Sequence, residues 1–240
     1  NRPQVKNAVD DEVMPAIRQA LKIAEDDGTR CVVLTGAGGS FSSGADIKKG
    51  VERGFTGDNT YQLLTEVYGP TLKAIRSYPY PVIAAVDGFA AGIGCDMALA
   101  CDIRLVSARG KFAELFIRVG LIPDGGGTYL LPRLVGTGRA LEMLFTGMDV
   151  EAETAVQIGL ANRVYPTETF MEEVLKYAAH ISKQSPANVA ASRQLRKNGP
   201  GTSSYSLVTR CISSQSTTSF WTAGFVYRDA TSPKSPRSIR

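Results

Sequence analysis

The groups this sequence offers for chemistry are carboxylates, hydroxyls and backbone amides beside glycines. Its one histidine, His180, lies in the amphipathic stretch Met171 to Lys183, far along the chain from any glycine-rich turn. A Ser-His-Asp or Cys-His hydrolase needs a neutral imidazole beside its nucleophile, so those classes are set aside and His180 reads as a helix-surface or half-buried residue. Cys31, Cys95, Cys101 and Cys211 contain no Cys-x-x-Cys pair, which removes the common zinc sites. Four scattered cysteines in a chain this long read as reduced thiols, pointing to a cytoplasmic or matrix-like compartment.

Four glycine-rich corners remain, the last of them Leu121-Ile122-Pro123-Asp124-Gly125-Gly126-Gly127. Gly36-Ala37-Gly38-Gly39 invites a dinucleotide reading but fails the Gly-x-Gly-x-x-Gly pattern, because Phe41 stands at its last position. The two between are Phe41-Ser42-Ser43-Gly44-Ala45-Asp46-Ile47-Lys48 and Gly88-Phe89-Ala90-Ala91-Gly92-Ile93-Gly94-Cys95-Asp96. Small residues after a strand let a backbone approach a ligand closely. A helix beginning near Ile93 leaves its first N–H groups without intrahelical partners. Two such groups aimed at one oxygen would form an oxyanion hole. The same composition equally serves close helix–sheet packing, and composition alone does not divide the two.

These corners need strands behind them and helices after them. Apolar spacing predicts a helix from Ala8 to Gly28. Buried strands are predicted at Arg30–Thr35, Pro81–Val86 and Asp102–Ser107, with a tightly packed helix over Cys95–Ala100. Further helices are expected at Arg139–Thr146, Ala152–Ile158 and Thr167–Lys183. Strand, glycine corner and helix in repetition define an α/β chain with parallel strands.

The chain has 240 residues, 43% hydrophobic and 21% charged, with a formal net charge of +4, all ordinary for a globular protein. No apolar run reaches the roughly 18–20 residues of a membrane span. Asn1-Arg2-Pro3-Gln4 offers no initiator Met and no apolar signal core, so no export address is expected and the numbered chain is expected to begin part-way into the natural one. From Thr202 to Ser238 sixteen residues are Ser or Thr, a composition closer to a tether than to a core. Phe220, Trp221, Phe225 and Tyr227 interrupt it and are candidates to dock.

Several stretches, in order, resemble the crotonase family, the enoyl-CoA hydratase/isomerase superfamily. They are Asn1-Arg2-Pro3 with Asn7-Ala8, Ser43–Lys48, Val86–Asp96, Ala100–Arg104, Gly120–Thr128, and Gly147 with Ala152–Ala161. The resemblance covers residues 1 to about 196. It implies a crotonase-like spiral of repeated strand-strand-helix turns, with natural N-terminal strands missing from this sequence. It also implies a C-terminal helical segment, making 197–240 an atypical trimerisation or tail region. Acyl-CoA thioesters would be the substrates, with no cofactor because coenzyme A belongs to the substrate, and the assembly would be a homotrimer or a dimer of trimers.

Carried over residue by residue, the resemblance makes the N–H groups of Ala45 and Ile93 the oxyanion hole. Ser43, Gly44, Asp46, Ile47, Lys48, Gly92 and Phe116 would line the substrate. Lys48 would stand near a CoA phosphate, or else be an ordinary solvated lysine. Family hydratases use two glutamates; the first aligns with Asp96 and the second with Phe116, which transfers no proton. Glu114, two residues away, would substitute only if its strand were displaced. A third acid position is Asp124, where Gly120-Leu121-Ile122-Pro123-Asp124 resembles the ring-epoxide isomerases. Asp124 would be the base or, alternatively, a helix N-cap before Gly125.

The expected activity is isomerisation of an acyl-CoA, by double-bond shift or of ring-epoxide type, through a thioester enolate with Asp124 as its one base. Hydration by Asp96 with Asp124 or Glu114 is the alternative. An RNA-binding member of the same scaffold is a third, resting on the pI near 8.9 and the run Arg193-Gln194-Leu195-Arg196-Lys197, although no aromatic interleaving accompanies it. Phe220, Lys234 and Arg237 are candidates for the adenine end.

Overall fold

A computed structural model describes residues 1–54, 56–198, 220–222 and 225–227. Helix α1 runs Val13–Asp26, shorter than its apolar spacing predicts. Asp10 sets the start, because its Oδ1 accepts the N–H groups of Glu12 at 3.0 Å and Val13 at 2.8 Å. Ala8 and Val9 therefore stay extended, and Val9 bridges in parallel to Ala45.

After β1 (Cys31–Thr35), the chain passes through Ser42–Ala45 into the short helices α2 (Ile47–Arg53) and α3 (Gly57–Gln62). Helix α4 (Gly69–Ser77) follows. The next turn is β2 (Val82–Val86), β3 (Phe89–Ala91) and α5 (Ile93–Ala100). The third is β4 (Ile103–Ser107), β5 (Lys111–Ala113), a 3-10 turn over Leu115–Val119, and helices α6 (Gly127–Val135) and α7 (Thr137–Thr146). Strand β6 (Val150–Glu151), α8 (Ala152–Gln157), β7 (Arg163–Tyr165), α9 (Phe170–Ser182) and α10 (Pro186–Asn198) complete the core.

The second and third turns each contribute one strand to each of two stacks, and the first contributes β1 and the bridge at Ser42, which is the expected spiral. Strands β1, β2, β4 and β7 pair in parallel in one sheet. Strands β3 and β5 pair in parallel in the other, closed by antiparallel β6, and Ser42 bridges to Ala90 at its near side. The two-residue period of the first sheet divides the core. Cys31, Val33, Ile83, Ala85 and Leu105 face α9 through Phe170, Val174 and Ala178. Val32, Leu34, Val82, Ala84, Val86 and Val106 face the main cluster, which includes all the apolar residues of α5 from Cys95 to Ala100.

Strands β8 (Phe220–Thr222) and β9 (Phe225–Tyr227) form an antiparallel pair, and β8 adds to the free edge of β1 in parallel. The aromatic interruption of the tail thus docks by strand pairing. Lys234 and Arg237 lie outside the described residues. Among the described residues no helix is long and apolar enough to cross a membrane.

Candidate active site

The two glycine corners meet. A Cβ placed on Gly44 would lie 2.8 Å from the Ala91 carbonyl oxygen and 3.9 Å from Gly92 Cα. One placed on Gly94 would lie 2.7–2.8 Å from Ser42. Hydrogen bonds lock the approach: Ser42 N–H donates to Phe89 O, Ala91 N–H to Ser42 O, and Gly92 N–H to Ala113 O. Gly92 adopts φ +52° and ψ −127°, a conformation that a side chain would strain. That turn starts α5 and leaves the Ile93 N–H at the helix end, where no intrahelical acceptor exists. Ala45 also keeps its N–H out of backbone pairing, since the Val9 bridge uses Gly44 O and Asp46 N–H. Ala45 is exposed and Ile93 is buried at adjacent edges of the same contact.

The first corner is anchored from the N-terminus. Asp46 accepts the Lys49 N–H and pairs with Arg2 at 2.8 Å, while Arg2 and Lys49 both reach Asp10, at 3.1 and 2.7 Å. The Asp46 carboxylate is therefore committed to holding the loop. These contacts, the Lys49 amide first for Asp46, hold both carboxyls below the usual range against the opposing effect of burial. Burial is the largest single influence on Asp10, but its hydrogen bonds and cations together prevail. The acidic run Asp10-Asp11-Glu12 has ligand-like spacing, yet Arg2 and Lys49 already neutralise it. Ser43, Ile47 and Lys48 are exposed on the outer side of this corner, and Ser43 Oγ donates to Val5 O at 3.2 Å.

The third corner brings the acids. Asp96, on the first turn of α5, is fully buried. Its Oδ2 accepts the Gly125 N–H at 3.0 Å, and a Cβ on Gly125 would stand 2.4 Å from Ile93 Cδ1 and 2.5 Å from Asp96 Oδ2. Glu114, between β5 and the 3-10 turn, is also fully buried. Asp96 and Glu114 meet at Gly127, where a Cβ would lie 2.5 Å from Asp96 Oδ1 and 3.2 Å from Glu114 Oε1. No displacement of β5 is needed to bring Glu114 there. Its burial follows from position: Phe112 and Glu114 share one face of an extended segment, and that face points into the main core. Sequence alignment draws attention to Phe116 and so underrates Glu114; the alternation Phe112, Glu114, Phe116 was the signal that could have found it.

Asp124 sits just before this turn, and its side chain retains solvent access. It is no helix cap: α6 begins at Gly127, Gly126 holds the N-cap position, and no side chain caps it. The N-cap alternative is thus corrected, because Gly126 at φ +101° turns the chain between Asp124 and the helix. Phe116 is nearly buried, its ring 3.9 Å from where a Gly92 Cβ would be.

Electrostatics separate the three acids. Burial, then the charges of Glu114 and Asp124, push Asp96 well above the carboxylate range, against the pull of the Gly125 and Gly127 amides. Burial pushes Glu114 up to about 7, with the Cys95 thiol opposing and the Asp124 charge adding. Desolvation also raises Asp124, opposed by its own backbone amide. A cluster ordered in this way ionises first at its solvent-facing member.

Two other sequence features resolve differently. The Gly36–Gly39 corner is filled by its own chain, since Asn7 Nδ2 donates to Ala37 O and Ser40 O, both at 2.7 Å. Arg193, from the basic run, is buried and binds Asp102 Oδ2 at 2.7 Å, Ile75 O at 2.9 Å and Tyr78 O. It is an internal clamp for α10, unavailable to a nucleic-acid phosphate. His180 is exposed on α9, as its sequence context indicates.

The chain matches the enoyl-CoA hydratase/isomerase family model over residues 1–206 and belongs to that family. It is 39% identical over 194 residues to a probable enoyl-CoA hydratase of Rhodobacter capsulatus, covering 81% of this chain and 74% of the relative. It is 35% identical over 196 residues to the 1,2-epoxyphenylacetyl-CoA isomerase of Escherichia coli, covering 81% and 75%. The crystal structure of an enoyl-CoA hydratase from Bacillus anthracis superposes with a TM-score of 0.79 at 31% identity, covering 87% and 81%. The protein is accordingly a crotonase-type enzyme of CoA-linked chemistry.

Proposed function

We propose that the enzyme isomerises an unsaturated or ring-epoxide acyl-CoA, with Asp124 as the group that moves the proton. The observation carrying this reading is the contrast among the acids: Asp124 keeps solvent access, whereas Asp96 and Glu114 are sealed behind the Gly125–Gly127 turn. The thioester carbonyl oxygen would receive the N–H groups of Ala45 and Ile93. A proton on the α-carbon becomes acidic when that oxygen's negative charge is stabilised as it develops, and removing one such donor typically costs about 3–4 kcal/mol of barrier. For a double-bond shift, Asp124 takes the α-proton and returns it at the γ-carbon, so one carboxylate suffices. Phe116 occupies the position where the family's hydratases carry their second acid, and its ring keeps water away from the reacting carbons. Ser43, Ile47 and Lys48 lie on the exposed side suited to the nucleotide portion of CoA. Assembly as a trimer or dimer of trimers belongs to the same reading and is measurable by light scattering.

Hydration has a structural observation in its favour, besides the hydratase names that most of the similar relatives carry. Asp96 Oδ1 and both Glu114 oxygens are buried without a hydrogen-bond partner of ordinary geometry, as a water-binding pair would be. Offering the enzyme 3-enoyl-CoA and 2-enoyl-CoA separately decides between them. Isomerisation predicts conversion of the first to the 2-enoyl form, abolished in Asp124→Asn. Formation of 3-hydroxyacyl-CoA from the second, persisting in Asp124→Asn, would overturn the isomerase assignment.

A further inference from the structure

We propose that Glu114 is a positioning residue that works through a proton held jointly with Asp96: the pair, kept at one negative charge or none, supports the Gly125–Gly127 turn from behind and lets the site accept an anionic thioester enolate. Three observations carry this. Both carboxyls converge on Gly127, at 2.5 and 3.2 Å from its Cβ direction. Asp96 grips the turn through the Gly125 N–H. Three of the four oxygens have no hydrogen-bond partner of ordinary geometry, with only the Gly127 amide near Asp96 and the Cys95 thiol near Glu114 as further donors; two full charges with so few donors would be strongly disfavoured in a buried site. The titratable groups facing Glu114 are Cys95 and Asp96 from α5 and Asp124 from the segment before α6; among the described residues no cation offsets them.

The geometry therefore makes the pair a neutral floor under Asp124 in acid and a charged one in alkali. Ionising Glu114 adds a buried negative charge close to the one the reaction must create, and the enolate is opposed. Its raised titration, near neutrality, places that change within the working range of an enzyme. The effect on the enolate rests on the acyl-CoA reading above, whereas the shared proton does not.

Two measurements on the full chain test the proposal. Infrared difference spectra between pH 6 and 8.5, without ligand, should show a protonated-carboxyl band lost in the wild type. That loss should be absent in Glu114→Gln. In Asp124→Asn it should shift to lower pH, because the charge that raises Glu114 is gone. Absence of that loss in the wild type, or its persistence in Glu114→Gln, overturns the proposal whatever the enzyme catalyses. The second measurement is affinity for acetoacetyl-CoA, read from its bound-enolate absorbance. The ratio of wild-type to Glu114→Gln dissociation constants should be near one at pH 6 and rise about tenfold by pH 8.5, equivalent to about 1.4 kcal/mol. A ratio that stays constant with pH overturns the coupling to the anion. Failure of the isomerase assignment would look different: no double-bond shift, with the band and the ratio behaving as expected.

Discussion

The Asp96 carboxylate accepts the N–H of Gly125 at 3.0 Å, although the two residues lie on separate turns of the spiral. This bond ties the helix that presents the Ile93 amide to the turn that presents Asp124, so the proposed oxyanion donor and the proposed base share one support. Gly125 has no room to spare: a Cβ would lie 2.4 Å from Ile93 Cδ1 and 2.7 Å from Asp96 Cβ. Gly125→Ala should move the turn away from α5, cost roughly 1–3 kcal/mol of stability, and lower kcat by about 100-fold through misplacement of Asp124. Thermal melts and steady-state isomerisation assays check both. Unchanged kcat would separate the turn from the chemistry.

The acids also shape stability against pH, in two windows of opposite sign. Asp10 and Asp46 titrate below their ordinary values in the folded chain. Their contribution is complete above the unfolded pKa near 4 and is lost as the pH falls through the lower folded value. Glu114 is raised to about 7, so the native state keeps a proton that the unfolded chain releases near 4.5. Its effect favours the fold in acid, weakens as pH climbs from about 4.5 to 7, and levels off above that. Denaturant midpoints across pH 3–9 should therefore rise through the first window and sag through the second. Glu114→Gln should reduce the sag to the part contributed by Asp96, and Asp10→Asn should blunt the rise.

Buried runs made three strands of the first sheet legible: Val32, Val33, Ile83 and Leu105 read as strands because both faces of that sheet are covered. Strands β3 and β5 were not legible. Each has three residues, too few to display a period, and Phe89-Ala90-Ala91 reads as part of a glycine corner. The corners at Gly44 and Gly92 were visible because small residues answer a local backbone demand, whereas the Ala45 and Ile93 amides were singled out only by the family resemblance. The Asp96–Glu114 pair entered only as one alternative for hydration, because its members come from α5 and the end of β5 and meet only where Gly127 leaves space. Arg193 was misleading for a related reason. A basic run advertises a charged face, but burial beside Asp102 is decided by residues 91 positions away.

That distant partnership sets a further expectation. Arg193 is 8% exposed and gives its guanidinium to Asp102, Ile75 and Tyr78, fastening α10 onto the C-terminal end of α4 and the residue before β4. Arg193→Ala leaves two carbonyls and a half-buried carboxylate short of donors and should cost about 3–5 kcal/mol. Arg193→Lys should recover little of it, since an ammonium cannot match a fork that spans three acceptors. Equilibrium unfolding in urea measures the loss. A variant within 1 kcal/mol of the wild type would show the clamp to be dispensable.

Phe116 gives the sharpest test of what decides between moving a double bond and adding water. Its ring lies next to Gly92 and reaches almost no solvent, so no water is held there by a polar group of residue 116. Phe116→Glu would introduce a carboxyl at the position that the family resemblance assigns to the second acid of the hydratases, next to Gly92 at the start of α5. The substitution buries a charge and should lower stability by about 2–4 kcal/mol. It should also reduce the 3-enoyl to 2-enoyl shift while raising hydration of 2-enoyl-CoA above the wild-type level, followed as loss of the enoyl absorbance and formation of the 3-hydroxy product. Phe116→Leu, of similar character but without a proton to give, should keep isomerisation as its main activity. Hydration that rises equally in both variants would mean that water entry alone, and not a second acid, selects the outcome.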